Sequence, residues 1–372
     1  MQNIAQSWLV WELTRSPLLL GLVSFFDTVP RLFFGAVGGV IADRVDRRRL
    51  LMITQSLAMA QAFVYWLAVY YKVILFWHIA ALAFFLGVVN TINQTARQSL
   101  VNSLVPREEL LNAIGLQSSV FNLSKILGPS AGGVVIALVG IAGCFFINAM
   151  SFLALLFTLF LMELPPWKPR AARQGLWIEI KEGYAYLRNN RRILSIVSLS
   201  YVVALVGAPY TRFIPVFATN ILHVGPTGFG LLMAAPGAGA TASALGLASL
   251  RNFRPGVSLI CSCVLGFALF LGLFAFSHSF LFSLVLLALI GFCFIAARAS
   301  SNTAIQVETP HNLLGRVLSL FFMDQGLWSL GGLVIGGTAS IVGINWTFAA
   351  SAAICAVAAA GLLVTTGRDS GK

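Results

Sequence analysis

The chain has 372 residues, of which 58% are hydrophobic and only 10% are charged. A soluble domain carries about a quarter charged residues, so this composition excludes the polar surface of a water-soluble fold and predicts an all-α membrane protein. The net charge of +12 comes from short cationic clusters between apolar runs, without a basic-aromatic face, which argues against a nucleic-acid-binding function.

Apolar windows of about 20 residues, the length that crosses a bilayer as a helix, recur along the whole chain. They predict twelve spans, arranged as six plus six around one polar interval. The predicted organisation is an N-terminal six-helix bundle over 1–164, a cytoplasmic linker over 165–192 and a C-terminal six-helix bundle over 193–372. The spans, numbered 1 to 12 in chain order, lie near 2–13, 17–41, 50–71, 74–96, 113–139, 142–163, 193–218, 227–250, 256–276, 280–303, 315–340 and 343–366.

Span 1 is shorter than a membrane crossing. The residues before Thr14 make ~20 Å of helix against a hydrocarbon core of ~30 Å. Gln2, Asn3 and Gln6 would then lie inside the bilayer. This predicts that the first helix is truncated and that the true start lies upstream of Met1. A genuine half-helix, shielded by its neighbours, is the alternative.

Cationic connections alternate with minimal ones along the chain. The segments 44–49, 97–107, 168–192, 251–254 and 311–316 carry most of the Lys and Arg, whereas the turns at 72, 140 and 277–279 are nearly free of cations. Since Lys and Arg hold a loop on the inner face, both termini and the linker are predicted to be cytoplasmic in a bacterial inner membrane. The linker contains an amphipathic helix over 176–193 that suits the headgroup layer. It joins the two halves or, alternatively, forms a regulatory or partner site.

The two halves are predicted to be related by an offset of 204 residues. This offset pairs Gly87 with Gly291 and Pro106 with Pro310, and it pairs Gly128, Gly132 and Gly133 with Gly332, Gly336 and Gly337. A constant offset across spans 4–5 and 10–11 indicates two parallel six-helix repeats.

The turn after span 2 is the most distinctive motif in the chain. It resembles G-x-x-x-D-R-x-G-R-R, the signature between helices 2 and 3 of the major facilitator superfamily, with Asp46 where the signature has glycine. The resemblance implies the major facilitator fold and a cytoplasmic gate in which the carboxylate of Asp43 faces the N-terminus of span 11. The motif residues are Gly39, Asp43, Arg44, Arg47 and Arg48.

Span 5 contains Gly128, Pro129, Gly132 and Gly133, which resemble the G-P-x-x-G-G element of antiporter branches of the superfamily. The flanking segments 8–17 and 102–106 look like the branch that includes macrolide-efflux and enterobactin exporters. The resemblance implies export. The R-x-x-Q-G-type pattern of many proton-coupled exporters is missing from span 4, so proton coupling has less support than export.

Charged side chains inside spans cost ~2.5–3.5 kcal/mol on insertion scales and therefore indicate function. Asp27 and Arg31 are spaced i, i+4 and can pair on one helix face. Asp27 and Asp324 are candidate proton carriers, and a buried structural pair is the alternative for each. The full candidate set for proton or substrate binding is Asp27, Arg31, Lys125, Arg298 and Asp324. Glu12 and Arg212 are interpreted as members of a buried structural pair or as charges that snorkel to the interface. Aromatics and amides are expected to line the cavity that the resemblance places between the halves, namely Phe25, Phe26, Tyr65, Trp66, Asn90, Asn93, Gln117, Asn122, Gln325 and Trp328.

These patterns predict a secondary transporter that exports a small amphipathic molecule, such as a drug, macrolide or siderophore, by alternating access and proton antiport. An importer or facilitator of the same fold is the alternative. An intramembrane enzyme is a distant one, because the 12 acidic residues are scattered and the four histidines lie near span ends. No nucleotide-binding loop, cofactor or metal is predicted, and a monomer is expected.

Overall fold

The computed structural model describes residues 1–31, 33–34, 45–104, 110–162, 184–249, 255–310 and 313–369. Within these ranges the regular secondary structure is helical throughout, with no strand. The predicted all-α class is therefore confirmed.

The first half of the chain forms five helices as far as the described residues extend. Ser16 caps the second helix by accepting a hydrogen bond from the backbone N–H of Leu19, and Asp46 caps the third by accepting one from the N–H of Arg48. Gly140, at φ +74°, breaks the long fifth helix into two arms, 110–139 and 141–161, where the sequence predicts a turn. The helices are α1 Gln2–Thr14, α2 Pro17–Thr28, α3 Arg47–Tyr70, α4 Phe76–Leu104 and α5 Leu110–Leu161.

The second half begins with an irregular span. It starts as an α-helix, widens to a π-helical turn over Val203–Gly207 and tightens to a 3₁₀ turn over Ala208–Phe213. Pro209 and Pro215 explain the irregularity, since proline lacks the N–H of the i→i−4 ladder. The helices are α6 Arg191–Val202, α7 Ile214–Asn220, α8 Pro226–Ala248, α9 Val257–Ala275, α10 Phe280–Glu308, α11 Leu314–Phe322, α12 Asp324–Val342 and α13 Ile344–Asp369.

Nine helical stretches in the described part of the chain are long and apolar enough to cross a membrane. One of them, 126–161, contains the break at Gly140 and so provides two passes. The shorter helices α1 and α2 occupy the positions of predicted spans 1 and 2. The six-plus-six arrangement of twelve spans is thus reproduced, and the chain is a multi-pass membrane protein.

Short connections gather at one end of the helices, here named the short-loop end; it holds 15–16, 71–75, 140, 221–225, 276–279 and 343. The opposite end is the long-loop end. Two close helix crossings join the halves toward the short-loop end, α5 with α8 and α2 with α12. A Cβ added to Gly133 would lie 2.6 Å from Cα of Gly230, and one added to Gly336 would lie 2.7 Å from the carbonyl oxygen of Pro17. Glycine is required because the two backbones touch.

The predicted repeat has a structural counterpart at Gly87 and Gly291. A Cβ on Gly87 would lie 2.9 Å from Cγ of Pro30, and one on Gly291 would lie 2.6 Å from Cα of Pro236. Each glycine thus packs the fourth span of its half against the second. At the inter-half crossings, however, the equivalent residues are Gly133 and Gly336, one residue away from the predicted offset.

Candidate transport cavity

A cavity of about 550 Å³ lies between the two halves, near the middle of the helices. Its first-half wall comes from α1, α4 and both arms of α5, and its second-half wall from the 3₁₀ turn, α8, α10 and α12. This volume falls within the range of small-molecule sites, ~300–1,000 Å³. Of the residues expected there, Asn90 and Trp328 line the cavity, and so do Gly128 and Pro129 of the span 5 motif. The expectation is wrong for Phe25, Phe26, Tyr65, Trp66 and Asn93, which are not among the lining residues, and the side chains of Gln117, Asn122 and Gln325 lie outside the described part.

A chain of amide side chains supports the first-half wall. Asn148 donates through Nδ2 to Oε1 of Gln2 at 2.8 Å, and Gln2 donates through Nε2 to Oε1 of Gln61 at 2.7 Å. Gln61 in turn donates to the backbone oxygen of Leu82 at 3.2 Å. Gln2 and Asn148 line the cavity, whereas Gln61 is buried behind them. These three residues could not be predicted as cavity residues from the sequence, because amides spread over spans 1, 3 and 6 form no local pattern.

The second-half wall is aromatic. The rings of Phe294 and Trp328 lie 6.1 Å apart, and Tyr210 and Met233 extend the same surface. The indole Nε1 of Trp328 is buried and has no hydrogen-bond partner in the described part of the chain.

Asp27 of α2 pairs with Arg212 of the 3₁₀ turn, and this ion pair joins the two halves. Nη2 of Arg212 lies 3.0 Å from Oδ2 of Asp27. The predicted Asp27–Arg31 pair is wrong: Arg31 is exposed and the nearby cation comes from the other half. Of the two interpretations of Arg212, the structure agrees with the ion pair rather than with the interfacial charge. Two further inter-half hydrogen bonds, Trp11 Nε1 to Thr219 Oγ1 and Ser329 Oγ to Thr28 Oγ1, both measure 2.6 Å.

Asp324 and Arg298, two of the predicted candidates, form an ion pair inside the second half. The guanidinium of Arg298 contacts both carboxylate oxygens, with Nη2 at 3.2 Å from Oδ1. Asp324 is only 1% exposed, and the guanidinium also lies 5.5 Å from the ring centre of Phe321. Phe294 and Trp328 contribute both to the central cavity and to a void of about 30 Å³ beside the ion pair. The pair therefore lies behind the aromatic wall.

The turn motif after span 2 is described only in part. Gly39, Asp43 and Arg44 lie outside the described residues, and only the backbone of Arg47 is described, at the start of α3. Arg48 donates to the backbone oxygen of Phe160 in the second arm of α5.

The remaining predicted sites lie on α5. Lys125 is helical, but its side chain lies outside the described part. A Cβ on Gly132 would lie 3.7 Å from side-chain atoms of Ile4, so this glycine packs against α1, while Gly133 packs against α8. The G-P-x-x-G-G element thus contributes to the cavity wall and to both neighbouring helix contacts.

The end of the predicted linker helix attaches to α10. Tyr186 donates to the backbone oxygen of Glu308 at 3.3 Å, and Nε of Arg192 lies 3.1 Å from Oε1 of the same glutamate. Leu187, which follows Tyr186 in the chain, is buried. The earlier part of this helix, 176–183, lies outside the described residues.

A second cavity, of about 540 Å³, lies at the short-loop end and is here named the vestibule. Trp8, Trp11 and Glu12 of α1 line it together with Arg15, Ala142 of α5 and Thr219 of α7. The predicted interfacial position of Glu12 agrees with its exposure at this end.

Two helical halves enclose a central cavity, and within the described residues their closest contacts lie toward the short-loop end. This is the architecture of a transporter of small molecules. A family model described as transmembrane secretion effector matches residues 1–368. The chain therefore belongs to the transmembrane secretion effector family of the major facilitator superfamily, whose members are transporters rather than enzymes.

Two relatives are similar to the chain in sequence, and one solved structure is similar to it in fold. The chain is 26% identical to the staphyloferrin A transporter of Staphylococcus aureus, over 93% of this chain and 87% of that protein. It is 27% identical to the enterobactin exporter EntS of Citrobacter koseri, over 89% of this chain and 78% of that protein. The crystal structure of a bacterial homologue of the human lysosomal transporter Spinster, inward-facing and unoccupied, superposes with a TM-score of 0.71. That match has 14% identity and covers 96% of this chain and 92% of that one.

Proposed function

We propose that the protein exports a small amphipathic molecule, of the siderophore or drug kind, by alternating access driven by proton antiport. The observation that carries this proposal is the central cavity, bounded by both halves and separated from the short-loop end by the two glycine crossings. The similarity to a protein named an enterobactin exporter supports the direction of transport.

We propose that the short-loop end faces the periplasm and that both termini and the linker face the cytoplasm of a bacterial inner membrane. The cationic connections at the long-loop end support this orientation. The described conformation would then be inward-facing, because the contacts of Gly133 and Trp11 with the second half lie between the cavity and the short-loop end. The Asp27–Arg212 pair lies level with the cavity, beside Gly87. The N-terminal bundle 1–164 and the C-terminal bundle 193–372 would move about the cavity as two bodies.

Asp27 is the proposed proton carrier, and the inter-half geometry supports this choice. Protonation of its carboxyl group would remove the charge that holds Arg212 and so weaken a contact that must separate when the short-loop end opens. Proton binding from the periplasm would then be linked to the step that releases substrate outward. Asp324 would instead serve to neutralise Arg298 within one half.

Reconstituted vesicles test this function. Wild-type protein should move a siderophore, dye or macrolide against its concentration gradient when a pH gradient is imposed, and it should move protons in the opposite direction. Asp27→Asn should still exchange substrate at equilibrium but lose at least about tenfold of the uphill rate, because no proton binds at residue 27.

The charge-swapped variant Asp27→Arg with Arg212→Asp is the matched control, since it restores the inter-half ion pair. Full pH-driven efflux by Asp27→Asn would contradict the assignment of Asp27. Uptake down an inward substrate gradient without proton movement would favour the alternative, a facilitator or importer of the same fold.

A further inference from the structure

The vestibule at the short-loop end is a second volume of ligand size. Its volume of about 540 Å³ lies within the range of small-molecule sites, ~300–1,000 Å³, and it shares no described lining residue with the central cavity. Both halves form its wall, with Ile136 of α5 in the first half and Thr219 of α7 and Pro226 of α8 in the second. A ligand bound in the vestibule would therefore contact both halves at once.

Two tryptophans of α1 connect this wall to the second half. The ring of Trp8 lies 5.1 Å from the ring of Phe229 in α8, and Nε1 of Trp11 donates to Oγ1 of Thr219 at 2.6 Å. Both contacts must break when the halves separate at the short-loop end. The vestibule is therefore complete only while that end is closed.

Glu12 and Arg15 bring one charge of each sign to the same wall. Trp8, Trp11 and Glu12 are spaced i, i+3 and i+4, so they share one face of α1, and Arg15 follows as the C-terminal cap of the helix. All four residues line the vestibule. Glu12 and Arg15 are exposed, and neither forms an ion pair in the described part of the chain. The carboxylate and the guanidinium are thus each open to an ionic partner.

The two charges select the charge state of a ligand. The guanidinium carbon of Arg15 lies 5.8 Å from the ring centre of Trp11, a cation–π contact that holds the cation beside the vestibule. A ligand with a single charge would meet Glu12 or Arg15 favourably and the other unfavourably, since the two are about one helical turn apart. A zwitterion can place a cationic group beside Glu12 and an anionic group beside Arg15. Trp8 and Val69 offer aromatic and aliphatic surface to the rest of the molecule.

We propose that the vestibule is a second binding site, which takes a zwitterionic small molecule with an aromatic or apolar body. A molecule bound there contacts both halves in the closed arrangement of the short-loop end, so it stabilises that arrangement and slows transport. This inference goes beyond the proposed function, because it assigns a ligand to a different cavity and binding there does not require export.

Three indole probes separate the charge states on one scaffold. L-Tryptophan is the zwitterion, tryptamine is the same molecule without the carboxylate, and indole-3-propionate is the same molecule without the ammonium group. Binding to the purified full-length protein in detergent is measured by titration calorimetry. Tryptophan should bind at least about threefold more tightly than either singly charged probe, since a partly exposed ion pair contributes a factor of up to about five.

Two isosteric or near-isosteric variants test the two charges separately. Glu12→Gln should weaken tryptophan by about threefold and strengthen the anionic indole-3-propionate, because the like charge is removed. Arg15→Gln should also weaken tryptophan but should strengthen the cationic tryptamine. Lys72→Gln is the control: Lys72 is exposed at the same end and is not among the described lining residues, so this variant should bind all three probes as the wild type does.

The crossed response of the two variants is the result that a purely structural role of Glu12 and Arg15 would not produce. Equal affinities of the three probes for the wild-type protein would overturn the proposal, and so would the absence of measurable tryptophan binding. Tryptophan binding that neither variant changes would place the ligand outside the vestibule and would overturn it as well.

The effect on transport is measured in vesicles that perform proton-driven dye efflux. Tryptophan at the short-loop side should slow efflux by the wild-type protein and should slow it less in Glu12→Gln. Unchanged efflux at saturating tryptophan would overturn the stabilisation of the closed end. A protein that exports dye but lacks the charge selectivity refutes this inference alone, whereas intact charge selectivity in a protein without efflux refutes only the export function.

Discussion

The charged side chains inside the spans differ in one respect: the partner lies either in the same half of the protein or in the other half. Asp27 and Arg212 come from different halves, whereas Asp324 and Arg298 share one. Both pairs place charges inside the span region, where an unpaired charge is costly. The two pairs nevertheless differ during alternating access, because only a pair that joins the halves must break.

Asp324→Asn is predicted to lower stability rather than to abolish proton coupling. The carboxylate is 1% exposed, and its loss would leave Arg298 without a counter-charge behind the aromatic wall. Removal of one partner of a buried pair costs about 3–5 kcal/mol, so thermal unfolding in detergent should shift down by several degrees. The double variant Asp324→Leu with Arg298→Met should recover most of the loss. An unchanged melting temperature together with lost uphill transport would instead identify Asp324 as the proton carrier.

Among the described residues, helices α2, α5, α8 and α12 make the most extensive contacts between the halves. Their crossings depend on glycine at the positions where backbone meets backbone, as at Gly133 and Gly336. The inter-half hydrogen bond of Ser329 with Thr28 lies along the same α2–α12 pair. Without a hydrophobic driving force between helices in lipid, close packing of this kind is a main source of helix association.

Adjacent glycines on α12 provide a matched test of the crossing. A Cβ at Gly336 would lie 2.7 Å from the carbonyl oxygen of Pro17, whereas a Cβ at Gly337 would meet no atom within 4 Å. Gly336→Ala should therefore hold the halves apart at the short-loop end and reduce transport by at least about tenfold, while Gly337→Ala should transport normally.

Accessibility of the vestibule gives the direct measurement. A cysteine introduced at Ala142, in a background without the native cysteines, should react faster with a membrane-impermeant maleimide in Gly336→Ala than in Gly337→Ala. Equal labelling of the two variants would show that the crossing at Gly336 does not control closure.

At the scale of the whole molecule, the described conformation keeps the two halves in contact toward one end of the cavity. The contact region includes the glycine crossings and the Trp11–Thr219 hydrogen bond, and the Asp27–Arg212 pair joins the halves level with the cavity. A transporter that alternates must also close the opposite end. The proposed device for that closure is the turn after span 2, with Asp43 as its anion.

Asp43→Asn is predicted to favour inward-open states, since it would remove the negative charge proposed to bind the N-terminus of α11. Transport should fall, and labelling of a cysteine at Ala142 in the vestibule should decrease. Arg49→Ala is the control: its side chain is exposed, with Nε 3.9 Å from Asp46, so it should have little effect. Unchanged labelling in the Asp43→Asn variant would show that Asp43 is not part of the gate.

The spans, the break at Gly140 and the family motifs could be predicted from local pattern. Hydropathy over a window of one helix and the positions of Gly and Pro are properties of neighbouring residues, and a bilayer makes them decisive because each span must satisfy its own backbone. The choice of Asp27, Arg298 and Asp324 as notable residues also followed from the cost of a charge inside a span.

Partners across the fold could not be predicted in this way. The i, i+4 spacing predicted Arg31 as the partner of Asp27, because this rule considers one helix only. The actual partner, Arg212, is 185 residues away in the sequence. The links from Gln2 to Gln61 and to Asn148 span 59 and 146 residues, and an amide alone in a span gives no sign of which other helix it faces. Helix packing brought these groups within hydrogen-bonding distance. The cavity and the Asp27–Arg212 ion pair therefore depend on tertiary structure, because both consist of contacts between distant segments.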